Sequence, residues 1–596
     1  MLSPGSRSQS LALVAAALER RGDISLHVRI DERVAGFTAL GLARETRMPV
    51  ALVCTSGTAA ANLLPAALEA HHSGVPMLLL TADRPPELRG VGANQTTRQL
   101  GMFSPSVRFE TDVPVAEQPD DDGDAEYTVM VRELAAHAFD AALGAGTRAA
   151  GPVHVNLPYR EPLAGELPAW FDAVVQSEPA PALESSPHDA SPHDASTLDD
   201  AGRDDAALDD AARDGDELSD EPASGALYQG GGGIGEADLP AEPEDEPHVL
   251  VRGPRTVVIA GADAGEDAEA LAFAGGWPLV AEIVSGARFG RYAVRGYRTL
   301  LRDPDLGGRI ERAVVWGHPT LSREVTGLLS RTDVEVIALR GPGEPLNLND
   351  ATTAADTVRV ASGSADREWL GAWLRASEAA STDLDPPAPD TAGLSSNDTT
   401  ARLAAVAAEL AAVRRPLDRL GMVDAVWRAT WPHDRLVFGS SRLVRVADDV
   451  LPGKKVPVHA NRGLAGIDGT IATAMGVALA SQASGAPGVT RLLLGDLALL
   501  HDVGAFLLPP AEREPRLQVI VGNDGGGTIF DGLEVSKVAS DDDMNRVLYT
   551  PQSVRLEHIA TAYGWDYQRV TTRAALDQAL TSPVGGRQLI EVPLPR

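Results

Sequence analysis

Short apolar segments alternate along the chain with alanine- and leucine-rich stretches that repeat with helical periodicity. The apolar segments are four or five residues long, and each is followed closely by Gly, Ser or Asp. They lie at residues 50–54, 77–81, 256–260, 312–316, 491–494 and 518–521. Because apolar strands separated by helices are typical of parallel sheets covered on both faces, the pattern predicts an α/β protein whose domains are parallel sheets flanked by helices.

Two stretches of different composition divide the chain. Residues 177–247 repeat the sequence SPHDA and are otherwise dominated by Asp, Ala and Gly, so we expect a disordered acidic linker that buries little apolar surface. Residues 384–399 begin with a proline-rich run and predict a second linker. Three blocks remain, at 1–176, 248–383 and 400–596, which fits three domains at about 150 residues each.

The net charge of −32 is distributed unevenly. Twenty-one acidic and two basic residues lie between Glu178 and Glu246, so the rest of the chain carries only −13. Without a basic stripe interleaved with aromatic residues, nucleic acid is excluded as a partner. The sequence holds no apolar run of the roughly 18–20 residues that span a membrane, and a single cysteine, Cys54. We therefore expect a cytoplasmic protein without disulfides and without membrane contact.

The strongest chemical signal lies in the last block, where two predicted strands end in acidic, glycine-rich loops. Gly495-Asp496 follows one strand, and Asn523-Asp524 with three further glycines follows the next. Because ligands of parallel sheets bind beyond the carboxyl ends of the strands, these oxygens predict a site for Mg²⁺ or Ca²⁺. Gly-Asp followed about 27 residues later by Asn-Asp at matched strand ends is the signature of thiamine diphosphate (ThDP) enzymes.

A second signal lies in the first block, at Asp31-Glu32-Arg33, directly before a predicted helix that starts with small residues. ThDP chemistry needs one carboxylate facing N1′ of the aminopyrimidine ring, where a shared proton activates the cofactor. Taken alone, Glu32 would be an acidic residue favoured by the helix dipole. Together with the diphosphate motif, Glu32 is the candidate catalytic carboxylate.

Seven segments give the chain a more specific resemblance. They are SPGSRS (3–8), DERVAGFTALGLA (31–43), CTSGTAAANLLPA (54–66), DRPPELRGVGANQTTRQLGMF (83–103), SSRLVR (440–445), NRGLAGIDG (461–469) and GDLALLHD (495–502). On these segments the chain resembles the ThDP-dependent 2-succinyl-5-enolpyruvyl-6-hydroxy-3-cyclohexene-1-carboxylate synthase family of menaquinone biosynthesis. The middle block matches the family more loosely.

The resemblance implies a transferase that decarboxylates 2-oxoglutarate and adds the succinic semialdehyde unit to isochorismate, releasing CO₂. It implies ThDP with Mg²⁺, or Mn²⁺ as an alternative metal. Both substrates are dicarboxylates, and guanidinium groups bind carboxylates bidentately. The substrate-binding residues that the matched motifs imply are Ser6, Arg7, Asn94, Gln95, Ser441, Arg445 and Arg462, with Arg98 and Arg323 as weaker candidates.

Within this set the resemblance implies catalytic roles for Arg7, Gln95, Arg445 and Arg462 beside Glu32. The cofactor-binding residues that it implies are Thr55, Ser56, Gly57, Ile467, Asp496, Ile529 and Phe530, where Ile467 props the cofactor into its bent form. The second metal ligand stays open. Counting from Asp496 favours Asn523, whereas counting back from Ile529-Phe530 favours Asp524 with the Gly526 carbonyl, and we prefer the latter pair.

In this fold family the pyrimidine-binding (PYR) domain of one subunit faces the diphosphate-binding (PP) domain of another. The resemblance thus implies a PYR domain at 1–176 and a PP domain at 400–596, with Glu32 serving a cofactor held by Asp496 of its neighbour in a homodimer or homotetramer. The central domain at 248–383 lacks a G-x-G-x-x-G fingerprint, so we expect no FAD or NAD. Family members carry a helix and a strand before SPGSRS, so we expect an N-terminally truncated PYR domain.

Two other functions remain as alternatives. Another ThDP decarboligase, such as an acetolactate synthase or a 2-oxo acid decarboxylase, would carry fewer arginines around the cofactor and would turn over pyruvate without isochorismate. A catalytically dead regulator would keep the fold but lose the key carboxylates, and Glu32 and Asp496 are both present.

Overall fold

The computed structural model of the chain describes residues 1–115, 123–145, 149–167, 171, 246–385 and 388–596. The described residues up to 165 and from 246 onwards belong to one compact unit. The predicted acidic linker at 177–247 lies outside the described residues except for its last two positions. None of the described helices is long and apolar enough to cross a membrane.

The first block builds a four-stranded parallel sheet with the strand order β1-β2-β4-β3. Its strands are β1 (Val50–Cys54), β2 (Met77–Asp83), β3 (Glu110–Asp112) and β4 (Pro152–Pro158). Its helices are α1 (Gln9–Arg21), α2 (Glu32–Thr46), α3 (Thr58–Asn62), α4 (Leu64–Ser73) and α5 (Gly123–Leu143). Leu2 forms parallel bridges with Val53 and Val28, so the start of the chain lies along the outer edge of β1.

The middle block builds a five-stranded parallel sheet, ordered β10-β9-β8-β6-β7, and a separate parallel pair of β11 with β5. The strands are β5 (His248–Leu250), β6 (Thr256–Ala260), β7 (Leu279–Ala281), β8 (Arg312–Trp316), β9 (Glu335–Leu339), β10 (Thr353–Ala355) and β11 (Val358–Val360). The helices are α6 (Asp267–Gly275), α7 (Tyr297–Arg302), α8 (Arg323–Leu329) and α9 (Arg367–Ala379).

The last block builds a six-stranded parallel sheet, ordered β13-β12-β14-β15-β17-β16. The strands are β12 (Arg435–Phe438), β13 (Val458–Ala460), β14 (Thr490–Gly495), β15 (Leu517–Asn523), β16 (Asp566–Arg569) and β17 (Arg587–Pro593). The helices are α10 (Thr391–Leu394), α11 (Thr399–Val413), α12 (Arg419–Ala429), α13 (Arg442–Val450), α14 (Thr470–Ser481), α15 (Asp496–His501), α16 (Asp541–Asp543), α17 (Leu556–Ala562) and α18 (Arg573–Thr581).

The α/β prediction is confirmed, because the named strands pair in parallel and are connected by helices. Each predicted strand segment lies within one observed strand, and β2, β14 and β15 extend beyond the predicted ends. Each of the three larger sheets comes from one predicted block, and the domain boundaries stay predictions. The predicted linker at 384–399 contains α10, whose first turn is capped because the Asp390 carboxylate accepts the Gly393 N–H at 2.8 Å.

Helices α2 and α14 join the first sheet to the last. A Cβ on Gly41 of α2 would lie 2.1 Å from the Thr473 carbonyl oxygen, and one on Gly476 of α14 would lie 2.1 Å from the Thr38 carbonyl oxygen. Only glycine fits these positions, because the two helix backbones are in close contact. Residues of both helices, such as Phe37, contribute to one shared apolar core. The start of α2 is therefore fixed relative to the last block.

Candidate active site

Glu32 lies where sequence reasoning placed it, in the first turn of α2. The Asp31 carboxylate caps this helix by accepting the backbone N–H groups of Arg33 (2.9 Å) and Val34 (3.3 Å). Burial and the nearby charge of Glu32 together raise the pKa of the Cys54 thiol at the end of β1. The Glu32 carboxylate is thus close to the end of β1, where the predicted cofactor-contacting turn begins.

The turn after β1 is bonded to the loop that carries Gln95. The Ser56 hydroxyl donates to the Gln95 carbonyl, and the Gln95 side-chain amide donates to the Ser56 carbonyl, both at 3.0 Å. The Gly57 N–H donates to the Gln99 side chain at 2.9 Å, and Gly57 has a φ of +84°, which favours glycine. Arg84 also donates to the Ser56 hydroxyl. These bonds hold Ser56, Gly57 and Gln95 in one polar cluster.

Arg7 joins the same cluster from the SPGSRS segment. Its backbone N–H donates to the Thr55 hydroxyl at 3.3 Å, and its Nη1 donates to the Tyr159 carbonyl at 3.2 Å. Arg7 is buried, and its Nε has no hydrogen-bond partner among the described residues. Burial and the charge of Arg7 lower the pKa of Arg84, so two guanidinium groups lie close together here. This corner is electropositive and suits an anionic ligand.

Three other candidates in this region are exposed. Ser6 accepts a bond from the Gln9 side chain at 3.4 Å, and the Asn94 carbonyl accepts one from the Thr96 hydroxyl. Arg98 lines a cavity of about 450 Å³ next to the Gln95 loop. These three side chains are therefore accessible to a ligand. Unlike Ser56, they are not bonded to the polar cluster.

The acidic loops of the last block meet at the ends of β14 and β15. The buried Asp496 carboxylate accepts N–H groups from Leu497 and Gly526. Burial, and then the charge of Asp524, raise the pKa of Asp496 to about 6. Asp524 is itself held by Arg419 Nη2 at 2.7 Å and by the Thr528 hydroxyl at 2.5 Å, both on Oδ2. Two carboxylates thus share a small, partly buried volume.

The side chain of Asn523 is bonded to groups other than the two carboxylates. Its side-chain amide donates to Glu591 Oε1 at 2.7 Å, and its Oδ1 accepts the Gly525 N–H at 3.3 Å. Gly526 packs tightly against the segment that ends at Tyr549, because a Cβ there would lie 2.1 Å from the Tyr549 carbonyl oxygen. Of the two metal-ligand sets left open by the sequence, this geometry favours Asp524 with Gly526.

A hard cation fits the pair of carboxylates. Carboxylate and carbonyl oxygens are the ligands that Mg²⁺ prefers, and a cation would remove the repulsion that raises the pKa of Asp496. Among the residues that the structure describes, no group of three or more His, Cys, Asp and Glu side chains could hold a metal. Asp496, Asp524 and the Gly526 carbonyl would therefore leave coordination positions for ligands from outside the protein.

Arg445 and Arg462 form a second electropositive region in the last block. Arg462 is 3% exposed, and the charge of Arg445 is among the causes that lower the pKa of Arg462, after burial. Burial and the charge of Arg298 likewise lower the pKa of Arg445. Arg445 Nη1 donates to the carbonyl of Ser441, whose hydroxyl caps α13. One buried and one half-buried guanidinium group that repel each other form a site for a carboxylate.

The remaining predicted residues lie nearer the surface. Arg323, at the start of α8, is 70% exposed in its side chain and pairs with Glu534 at 2.8 Å. Ile467 is 37% exposed, ahead of α14. Ile529 and Phe530 are half-buried in the short 3₁₀ helix Thr528–Gly532 that follows the acidic loop.

Sequence reasoning missed several buried or half-buried polar residues that hold the candidate groups. Arg84 is hydrogen-bonded to Ser56, Arg419 to Asp524, and Thr320 to Arg462. The carboxylates of Glu69 and Glu282 accept backbone N–H groups near Arg462. One signal was available for Glu282, which directly follows the buried strand β7, as Asp496 follows β14. The partners of the others are distant in sequence, and no local pattern indicates them.

Comparison with known proteins gives a consistent result along the whole chain. A family profile described as "Thiamine pyrophosphate enzyme, N-terminal TPP binding domain" matches residues 3–102. Curated relatives from Leifsonia xyli subsp. xyli and Clavibacter michiganensis subsp. michiganensis are 50% and 48% identical over the full chain, which covers 93% of each. A relative from Paenarthrobacter aurescens is 40% identical over the full chain, covering 91% of that protein. All three bear the name 2-succinyl-5-enolpyruvyl-6-hydroxy-3-cyclohexene-1-carboxylate synthase.

A solved structure agrees at the level of the fold. The crystal structure of benzoylformate decarboxylase from Polynucleobacter necessarius aligns with a TM-score of 0.56, covering 100% of this chain and 95% of that one. At 14% sequence identity the likeness concerns the fold alone.

Proposed function

Since the chain belongs to the 2-succinyl-5-enolpyruvyl-6-hydroxy-3-cyclohexene-1-carboxylate synthase family, we propose that it decarboxylates 2-oxoglutarate and adds the resulting four-carbon unit to isochorismate. The product would be the compound for which the family is named, in menaquinone biosynthesis, with release of CO₂. The observation that carries the substrate assignment is the close pair of Arg445 and Arg462, which suits ligands with carboxylate groups.

Asp496, Asp524 and the Gly526 carbonyl would hold Mg²⁺ or Mn²⁺, and through it the diphosphate of ThDP. The mutual repulsion of the two carboxylates supports this role, because a divalent cation relieves it. When bound, ThDP supplies a thiazolium ring that accepts the electron pair left by decarboxylation. Ile467, Ile529 and Phe530 would line the apolar side of the cofactor pocket.

Glu32 would hold the proton that is shared with N1′ of the aminopyrimidine ring. Its place beside the end of β1 supports this role, since Thr55, Ser56 and Gly57 form the turn that would contact the same ring. Gln95 is fixed to that turn by two hydrogen bonds and would orient a substrate. Arg7, with Ser6 and Asn94 at the surface of the same region, would bind a substrate carboxylate.

We propose that Glu32 serves the cofactor held by Asp496 of a second copy in a homodimer. Ile30, next to the helix cap before Glu32, is 73% exposed, and Leu464 near the other candidate groups is 54% exposed. A second copy that covers these apolar side chains would complete the site.

The proposal is tested by measuring the loss of isochorismate absorbance with purified protein, ThDP and Mg²⁺. We expect loss of absorbance only when 2-oxoglutarate and isochorismate are both supplied. Replacing 2-oxoglutarate by pyruvate is the control for the acetolactate synthase alternative. Turnover of pyruvate without isochorismate consumption would contradict the proposed function.

A further inference from the structure

Two buried carboxylates lie next to Arg462 and have no role in the function proposed above. Glu282, directly after β7 in the middle block, is fully buried. Glu69, on α4 in the first block, is 4% exposed. Buried carboxylates are rare unless they are bonded, so the groups that they contact indicate what they hold.

Glu282 reaches Arg462 through Thr320. A single oxygen, Oε1, accepts the N–H groups of Thr320 at 2.8 Å and Leu321 at 2.7 Å. Thr320 in turn accepts two bonds from Arg462: its hydroxyl accepts from Nε at 2.9 Å and its carbonyl accepts from Nη2 at 3.1 Å. Glu282 thus fixes the backbone that holds one edge of the guanidinium group.

Glu69 reaches Arg462 along the chain. Its Oε1 accepts the Gly463 N–H at 2.8 Å, and its Oε2 accepts the Leu464 N–H at 2.9 Å. These are the two residues directly after Arg462. Glu69 therefore fixes the backbone from which the arginine side chain extends, while Glu282 fixes the far end of that side chain.

The guanidinium group of Arg462 is held in one orientation by these contacts, and it still has N–H groups free to bind a ligand. Its third bond runs from Nη1 to the Ser440 hydroxyl at 3.2 Å, so three of the five N–H groups of Arg462 are used. The remaining N–H groups lie on Nη1 and Nη2, the pair that binds a carboxylate in a fork. A long side chain loses much rotamer freedom on binding, and this loss is smaller if the side chain is already fixed.

We propose that Glu69 and Glu282 are positioning residues that hold Arg462, from the first and middle blocks respectively, in the orientation that binds a substrate carboxylate. This inference rests on the role given to Arg462 in the proposed function. The role proposed for each carboxylate requires no contact with substrate or cofactor. Each acts through hydrogen bonds to backbone N–H groups on either side of the arginine.

The two residues differ in the chemistry that they need. Burial and the charge of Asp448 raise the pKa of Glu282 to about 8, and its Oε2 has no hydrogen-bond partner among the described residues. A glutamine can therefore replace Glu282, since its one carbonyl oxygen can accept both N–H groups. Glu69 uses both oxygens, so a glutamine there would turn an NH₂ group towards an N–H group and lose one bond.

Steady-state kinetics of five single variants in the full-length enzyme, with Arg462→Ala as the reference, test this difference. We expect Glu282→Gln to leave KM and kcat within about twofold of wild type. Arg462→Ala should raise the KM of one substrate, and this identifies the substrate that the arginine binds. Glu282→Leu and Glu69→Gln should each raise the KM of that same substrate about tenfold, with a smaller effect on kcat. Thr320→Val keeps the Glu282 contacts and removes only the hydroxyl on Nε, so it should raise the same KM even if Glu282→Leu folds poorly.

Double variants separate positioning from general stabilisation. In an Arg462→Ala background, Glu282→Leu and Glu69→Gln should have no further effect on that KM, because the group they position is gone. Asp434→Leu is the matched control, since Asp434 is a buried carboxylate bonded to Val489 N–H and Arg491 in another part of the last block. It should lower the melting temperature without changing either KM.

The outcomes distinguish the inference from the function on which it rests. If Arg462→Ala leaves both KM values unchanged, the role of Arg462 in the proposed function fails. If Arg462→Ala raises a KM that Glu69→Gln and Thr320→Val leave unchanged, the positioning inference alone is wrong. Additive effects in the double variants would also overturn it.

Discussion

At the end of β1 the polar groups of the candidate site are bonded to one another, whereas at the ends of β14 and β15 two carboxylates face each other. Ser56 and Gln95 exchange two hydrogen bonds of 3.0 Å. Asp496 and Asp524 instead repel each other, and burial together with this repulsion raises the pKa of Asp496 to about 6. The first region is ordered by its own contacts, while the second contains two carboxylates whose repulsion a bound cation would relieve.

This difference matches the chemistry proposed for each region. A turn that contacts an aromatic ring and a catalytic carboxylate benefits from rigid positioning before the ligand arrives. A metal site needs ligands that are ionised and close together, which is unfavourable until the metal binds. We therefore expect substitutions in the first region to affect turnover and substitutions in the second to affect cofactor binding.

The largest expected effect comes from removing one carboxylate in each region. Glu32→Gln and Asp496→Ala should each lower kcat/KM by about a thousandfold, since each removes a group without a substitute. Only Asp496→Ala should abolish the increase in melting temperature caused by ThDP with Mg²⁺, measured by thermal unfolding. The proposed difference between the two regions is wrong if ThDP with Mg²⁺ no longer raises the melting temperature of Glu32→Gln, or if Glu32→Gln retains wild-type turnover.

Mixing the same two variants tests whether the regions of one site come from different chains. If Glu32 serves the partner subunit's cofactor, a heterodimer of Glu32→Gln and Asp496→Ala chains has one intact site and one site with both changes. Random pairing should then restore about a quarter of wild-type activity, because about half of the dimers are mixed. Each variant alone and a chain with both substitutions are the controls. A mixture as inactive as its components would place Glu32 and Asp496 of one site in the same chain.

A third test compares the two neighbouring residues in the acidic loop. Asp524→Ala removes a carboxylate next to Asp496 and should weaken the apparent Mg²⁺ affinity by at least about tenfold. Asn523→Ala removes the bond to Glu591 and should lower the melting temperature with little effect on Mg²⁺ affinity. Titration of Mg²⁺ at saturating ThDP measures both. The opposite order would assign the metal to Asn523.

The same two regions explain what the sequence could predict. Asp496 and Asp524 were identifiable because each follows an apolar strand directly, so that local pattern and parallel topology bring them to one edge of the sheet. Glu69 was not, since its partner Gly463 lies 394 residues further along the chain. The resemblance implied a substrate-binding role for Arg323. In the structure this side chain instead forms an ion pair with Glu534 at the surface, and no motif in the sequence indicates that contact.

The last test concerns stability rather than activity, and it is a pH dependence expected from the second region alone. Asp496 has an ordinary pKa of 3.8 and a pKa of about 6 in the folded chain, so the folded state binds more protons than the unfolded state between these values. Its contribution to stability should therefore fall as pH rises from about 4 to about 6, by at most about 3 kcal/mol, and then stay constant.

The variant Asp496→Asn isolates this contribution, because it lacks the titrating group but keeps the shape. Without cofactor, its melting temperature relative to wild type should rise across this pH range. In an Asp524→Asn background the rise should be smaller, since the neighbouring charge is gone. Excess Mg²⁺ with ThDP should reverse it in wild type, because the cation then favours the ionised carboxylate. A melting-temperature difference that is flat from pH 4 to 6 would mean that Asp496 is not destabilised, and the contrast with the hydrogen-bonded region at the end of β1 would disappear.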